Sequence, residues 1–113
     1  MEHVFYDKSL ATDELVDLAY RQHLERGDGD TIDRLLQNLR GGRERLDDNI
    51  AKLSLPVLVI WGEEDELIPV ENGRRIHELV PGSRLEIIPR CGHLPALEKP
   101  REFVRLVTDF LLE

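Results

Sequence analysis

An acid and a histidine each follow a strand-like segment of this 113-residue chain. Asp65 comes four residues after the apolar run 57–61, and His93 comes five residues after the run 85–88. Loops that follow parallel strands gather at one edge of a sheet, so we expect the two side chains to lie together. A carboxylate that holds the Nδ1 proton of an imidazole leaves Nε2 to exchange a proton with a nucleophile. The spacing therefore predicts acid–base chemistry of the acyl-transfer kind.

The nucleophile that such a pair would serve is not evident in the sequence. The three serines, Ser9, Ser54 and Ser83, stand outside any G-x-S-x-G motif, the sharp strand-to-helix turn that exposes a catalytic serine. Cys91 lies only two residues before His93, and a rigid loop cannot readily aim both at one substrate atom. We therefore expect Cys91 to be a buried packing residue.

Charge and composition exclude several other classes of protein. The chain has 15 basic and 23 acidic residues, a net charge of −8, which disfavours nucleic acid and anionic membrane as partners. Its longest apolar run, residues 55–61, is too short to span a bilayer, and its amino terminus lacks a signal-peptide pattern. A single cysteine gives no internal disulfide, so a cytoplasmic location is expected.

Neither a cofactor nor a metal ion is expected. His3, His23 and His77 match no zinc-binding spacing, and they are predicted to be ordinary surface or helix-face histidines.

The elements that must position Asp65 and His93 divide the chain at about residue 53. Residues 1–53 are predicted to be helical, with a first helix of about 13 residues that Thr12 caps. A second helix should run from Asp30 or Thr31 to about Leu39, and a poorly marked turn should follow over 45–53.

Residues 54–113 are predicted to form a β-α-β-α unit of α/β class. The strands are 57–61 and 85–88, the helix between them covers 69–79, and Pro100 begins a terminal helix. The inward face of that terminal helix is predicted to carry Phe103, Val104, Val107, Phe110 and Leu111. Two parallel strands cannot cover their own edges, so a larger sheet or an obligate partner is expected.

Five other residues have simple structural interpretations. Trp61 ends a buried strand and is predicted to be core. Glu64, like Glu63 and Glu66, is expected to be a solvated neighbour of Asp65 or, as the alternative, a substitute for it as the acid. Glu98 is expected to favour the start of the terminal helix through the helix dipole.

Three segments resemble the carboxyl-terminal part of the α/β-hydrolase superfamily. They are LPVLVIWGEEDELIP at 55–69, PGSRLEIIPRCGHLPALEKPREF at 81–103 and VTDFL at 107–111. The resemblance implies an incomplete α/β-hydrolase-like fold, with the last two of the family's eight strands. It also implies that Asp65 is the acid and His93 the histidine of a catalytic triad, with the nucleophile and oxyanion hole supplied from upstream.

The preceding segment, VFYDKSLATDELVDLAYRQHLERG at 4–27, is similar to the cap of hydrolases that cleave ring-fission products (C–C bonds) or small esters. Residues 1–53 are thereby expected to be a cap-like segment. Leu94 follows His93, where C–C bond hydrolases of this group often carry an aromatic residue.

Two hypotheses follow. In the first, the chain is a truncated part of a serine hydrolase that carries Asp65 and His93, needs a missing amino-terminal half, and acts on a small-molecule substrate only when completed. In the second, it is a non-catalytic module derived from that fold, which self-associates as an edge-paired or domain-swapped homodimer. The isolated chain is not expected to be a competent enzyme in either case.

Overall fold

The computed structural model describes residues 3–26 and 49–113 of the chain. Its elements are a 3-10 turn at Lys8–Leu10, α1 (Asp13–Arg26), β1 (Leu58–Gly62), α2 (Val70–Leu79), β2 (Arg84–Ile88), α3 (Pro95–Glu98) and α4 (Pro100–Leu111). No helix in these two ranges has both the length and the hydropathy of a membrane span.

Helix α1 begins where the sequence predicted. Thr12 caps it, since its Oγ1 accepts a hydrogen bond from the N–H of Leu15 at 3.2 Å, and the acids Asp13 and Glu14 occupy the first turn. The apolar side chains Leu18 and Tyr20 of α1 are exposed. The second predicted helix, from residue 30 or 31 to 39, lies outside the described residues, as do residues 45–48 of the predicted turn over 45–53.

The β-α-β unit is confirmed. Strands β1 and β2 pair in parallel, with Leu58 opposite Arg84 and Gly62 opposite Ile88, and α2 forms the crossover between them. The N–H of Arg84 donates to the backbone carbonyl of Val57 at 2.9 Å, which is the first hydrogen bond of this parallel pairing. The carboxyl ends of both strands therefore lie at the same edge of the sheet.

Helices contact the sheet on both faces. Ile60 packs against the buried cluster of Ile88, Cys91 and Leu106, so this face meets α4. The next residue, Trp61, points to the other face, where its ring lies against Gly73 of α2. Three side chains of β1 nevertheless remain partly exposed, namely Leu58, Ile60 and Trp61. The described residues therefore do not bury this apolar strand completely.

The predicted inward face of α4 was wrong at two positions. Val104 is 60% exposed and Leu111 is 74% exposed, whereas Leu106, which the prediction left out, is 3% exposed. The stripe turned toward the sheet instead comprises Phe103, Leu106, Val107 and Phe110. Apolar residues of α4 lie on more than one side of the helix, so its sequence alone is compatible with more than one inward face.

Candidate active site

Asp65 and His93 lie in contact at the carboxyl edge of the sheet. The Nδ1 atom of His93 is 2.9 Å from Oδ2 of Asp65. The Asp65 side chain is 4% exposed and the His93 side chain 33% exposed, so the acid lies beneath the imidazole and the imidazole reaches the surface. The loops after β1 and β2 thus bring together the two residues that the sequence singled out.

The loop after β1 holds the Asp65 carboxylate in place. The other oxygen, Oδ1, accepts hydrogen bonds from the backbone N–H groups of Leu67 and Ile68, each at 2.9 Å. The Ile68 carbonyl accepts in turn from the indole N–H of Trp61, also at 2.9 Å. Trp61 is therefore a strand residue whose polar atom also closes the acid loop.

Burial and hydrogen bonding have opposite effects on the pKa of the Asp65 carboxyl. Burial would raise the pKa of its carboxyl, but the hydrogen bonds from the Ile68 N–H, from His93 and from the Leu67 N–H outweigh it. The pKa is therefore held below the ordinary value of 3.8. The carboxylate is ionised at neutral pH and can accept a hydrogen bond from the Nδ1–H group of His93.

Glu64 joins the acid loop to the histidine loop. Its backbone N–H donates to the carbonyl of Cys91 at 3.0 Å, and its carboxylate accepts from the N–H of Cys91, also at 3.0 Å. The expectation that Glu64 is a solvated neighbour of Asp65 was therefore wrong. A charge-assisted hydrogen bond to the backbone fixes the two loops against each other.

Gly62 permits this close approach. A Cβ atom at this position would lie 2.0 Å from the carbonyl oxygen of Gly92 and 2.5 Å from that of Cys91. Any side chain here would push the histidine loop away from the end of β1.

The amino-terminal segment also binds the histidine loop. The N–H of His93 donates to the carbonyl of Val4 at 2.7 Å, and Phe5 is 2% exposed. The carboxylate of Glu98 accepts from the N–H of Gly92 and from the N–H of Tyr6, each at 2.8 Å. The sequence predicted that Glu98 acts on the terminal helix; the structure shows that its carboxylate also binds the histidine loop and the amino-terminal segment.

Sequence reasoning could not have found these contacts of Glu98. Tyr6 and Glu98 are 92 positions apart, and no local pattern links them. The sequence shows only an acid five residues after His93, which is interpreted as acting on the terminal helix.

Cys91 is a packing residue, as predicted. It is 0% exposed, and burial, together with the nearby charge of Glu98, raises the pKa of its thiol to about 11. The thiolate needed for nucleophilic attack is therefore scarce at neutral pH.

The Nε2 atom of His93 has no hydrogen-bond partner in the part of the chain that the structure describes. The Oγ atom of Ser9 donates to Asp7 at 2.7 Å, and that of Ser83 lies 2.7 Å from Nδ1 of His77. Neither serine is bonded to His93. An oriented imidazole with an available Nε2 can take a proton from a nucleophile and later return it to a leaving group.

Residues 3–26 and 49–113 contain no group of three or more side chains placed to hold a metal ion. His3 contacts Glu66 at 2.6 Å, and His77 contacts Ser83. The side chain of His23 lies outside the described part.

Comparison with known proteins connects this geometry to one family. A family model described as alpha/beta hydrolase fold matches residues 3–100. A 2-hydroxy-6-oxo-2,4-heptadienoate hydrolase of Pseudomonas putida is 32% identical over 115 residues, which cover 98% of this chain and 42% of that protein. The chain thus spans less than half the length of this curated relative.

Solved structures show the same relationship. A meta-cleavage product hydrolase from Pseudomonas fluorescens IP01 superposes with a TM-score of 0.82 at 31% identity, over 97% of this chain and 42% of that one. An esterase from Exiguobacterium antarcticum superposes with a TM-score of 0.59 at 28% identity, over 62% of this chain and 26% of that one.

Proposed function

Because this chain belongs to the alpha/beta hydrolase fold family, we propose that Asp65 and His93 are the acid and the histidine of a serine-hydrolase triad. The observation that carries the proposal is the 2.9 Å contact between Nδ1 of His93 and the buried carboxylate of Asp65. The completed protein hydrolyses a C–C bond or an ester of a small molecule by acyl transfer.

Each residue has a defined role in this reaction. Asp65 accepts a hydrogen bond from the Nδ1–H group, which holds the imidazole in one tautomer and stabilises the imidazolium that forms. Nε2 of His93 takes the proton of the nucleophile and then delivers it to the leaving group. The low pKa of Asp65 supports this division, since the acid remains ionised while the histidine changes its charge.

The nucleophile and oxyanion hole come, in this proposal, from a further part of the same fold. The sequence contains no G-x-S-x-G motif, and the relatives that it matches are more than twice as long. Residues 54–113 then form the carboxyl-terminal part of the hydrolase core, and residues 1–53 a cap-like segment.

The extent of the matches favours a C–C bond substrate over an ester. The two hydrolases named for 2-hydroxy-6-oxo acids or meta-cleavage products match 97–98% of the chain, including the segment before residue 54. The esterase matches only 62% of it. In the hydrolases that this chain resembles, the cap contributes to the substrate pocket. We therefore propose a 2-hydroxy-6-oxo dienoate as the substrate class.

The test combines this chain with a nucleophile-bearing amino-terminal part of a related hydrolase. Sedimentation first establishes that the two parts associate, and hydrolysis of a 2-hydroxy-6-oxo dienoate and of a short aryl ester is then measured. We expect activity above that of either part alone. It should fall by roughly 10³-fold or more in His93→Ala and remain unchanged in the matched variant His77→Ala. Associated parts that hydrolyse neither substrate would refute the proposal.

A non-catalytic, self-associating module is the second candidate. Its support is the set of exposed apolar side chains on the two long helices, namely Val16, Leu18, Tyr20, Val104 and Leu111. Within the described residues no further strand pairs with the outer edges of β1 and β2, and these edges together with the apolar side chains favour association of two copies. Sedimentation of the chain alone tests this candidate, which predicts a dimer; a compact monomer that melts cooperatively would exclude it.

A further inference from the structure

We infer that Glu98 is a positioning residue for His93, and this inference rests on the proposed function. Its two carboxylate oxygens hold two separate segments of the chain. Oε1 accepts from the N–H of Gly92, the residue before His93, and Oε2 accepts from the N–H of Tyr6, each at 2.8 Å. One side chain thereby fixes the histidine loop against the amino-terminal segment.

The contacts around Glu98 show why the histidine loop depends on it. Cys91, Gly92 and His93 each use their backbone N–H in a hydrogen bond, to Glu64, Glu98 and Val4 respectively. Two of these three acceptors are carboxylates, and hydrogen bonds to charged acceptors are about twice as strong as neutral ones. The backbone on the amino-terminal side of the imidazole is therefore held by charge-assisted bonds.

Glu98 also helps to hold the third of these acceptors, the Val4 carbonyl, in place through its bond to Tyr6. The Val4 carbonyl can accept from the N–H of His93 only while the segment that contains it lies against the loop. The amino-terminal segment packs closely against Gly92. A Cβ atom added to Gly92 would lie 2.6 Å from the Val4 oxygen and 3.0 Å from Oε1 of Glu98. Loss of the bond from Tyr6 to Glu98 would remove one of the contacts that keep this segment, and with it the acceptor for His93, against the loop.

Glu98 does not contact the imidazole, so it acts on the reaction through the backbone. The Asp65 carboxylate fixes the ring from one side, and Glu98 fixes the chain that carries the ring. Displacement of a catalytic group by about 1 Å can reduce the rate by roughly 10²-fold. Substitution of Glu98 should therefore lower kcat while substrate binding changes little.

The first experiment measures amide hydrogen exchange in this chain by nuclear magnetic resonance. In Glu98→Gln one carboxylate oxygen becomes an amide nitrogen, which cannot accept, and in Glu98→Ala both acceptors are lost. We expect Gly92 and Tyr6 to exchange at least about tenfold faster in Glu98→Ala, as loss of a hydrogen bond to a charged group implies. Core amides such as Ile88 and Leu106 should keep their rates, and so should all these amides in the control Glu71→Gln.

A spectroscopic signature separates positioning from plain structural support. The ring nitrogen signals of His93 should shift in Glu98→Gln, while those of His77 stay in place. The inference is wrong if the His93 signals do not move, or if core amides accelerate as much as those of Gly92 and Tyr6. Should a variant not fold, the unmodified chain still provides a test, because unprotected Gly92 and Tyr6 amides would contradict the two hydrogen bonds.

The second experiment uses the combined protein with its nucleophile-bearing part. Glu98→Gln is expected to lower kcat by about tenfold to a hundredfold and to change KM by less than about twofold. An unchanged kcat would refute the positioning role. If the combined protein lacks activity altogether, the proposed function fails, but the exchange and ring-nitrogen measurements still decide the role of Glu98 in the loop.

Discussion

The Nδ1 atom of His93 lies 2.9 Å from Oδ2 of Asp65, although 28 positions separate the two residues in the chain. The contact arises because β1 and β2 are parallel neighbours in register, so the loops that follow them begin side by side. Glu64 and Glu98 then bind the backbone of the histidine loop and hold it against the acid loop and the amino-terminal segment. Three carboxylates therefore contact three consecutive residues of one loop.

The stability of the chain should decrease in acid, in part because of Asp65. The pKa of this carboxyl is lower in the folded chain than in the unfolded one. Its contribution is therefore complete above the unfolded value of about 3.9 and is lost as the pH falls through the folded value. We expect the free energy of unfolding, measured with urea between pH 2 and pH 6, to decline more steeply with acid in the original chain than in Asp65→Asn. Equal slopes in the two proteins would contradict this prediction.

Substitution of Gly62 should disrupt the junction of the two loops. A methyl group there would overlap the backbone carbonyls of Gly92 and Cys91, and we expect Gly62→Ala to cost about 3 kcal/mol, at the upper end for overpacking. The matched control is Gly82→Ala. Gly82 has a φ of +80°, and a Cβ atom added there would meet no other atom within 4 Å, so only backbone strain of about 1 kcal/mol is expected. Urea denaturation measures both variants, and comparable losses would contradict the steric explanation.

Cys91 should resist modification in the folded chain. Burial raises the pKa of its thiol to about 11, compared with about 8.5 for an unperturbed cysteine. At pH 8 the thiolate fraction, and with it the rate of alkylation by iodoacetamide, should be lower by ~100-fold or more than in the chain unfolded in urea. Mass spectrometry can follow the reaction, and rapid labelling of the folded chain would show that Cys91 is accessible.

Replacement of Trp61 should loosen the acid loop. In Trp61→Phe the hydrogen bond from the indole to the Ile68 carbonyl is lost, which should cost about 1 kcal/mol. The amides of Leu67 and Ile68, which donate to Asp65, should then exchange faster in nuclear magnetic resonance experiments. Tyr20→Phe is the control, since Tyr20 is exposed on α1. If the amides of Leu67 and Ile68 exchange at the same rate in Trp61→Phe and in Tyr20→Phe, the indole does not support the acid loop.

The sequence by itself determined the elements of the β-α-β-α unit and the two residues at its edge. The local signals are the strand-like runs 57–61 and 85–88, Pro69 before α2 and Pro100 at the start of α4, and each was confirmed within one or two residues. Parallel pairing also followed from local features, because a helix between two strands leaves little alternative. Asp65 and His93 could be placed together for the same reason.

Only the tertiary structure decided what holds these residues in place. The bonds of Glu98 to Gly92 and Tyr6, of Glu64 to Cys91 and of Val4 to His93 join backbone groups to acceptors whose proximity no local pattern encodes. The burial of Leu106 in place of Val104 likewise depended on where β1 and the histidine loop lie relative to α4. The spacing of residue types along the chain indicates the secondary structure of a single element. Contacts between distant elements depend instead on how those elements pack.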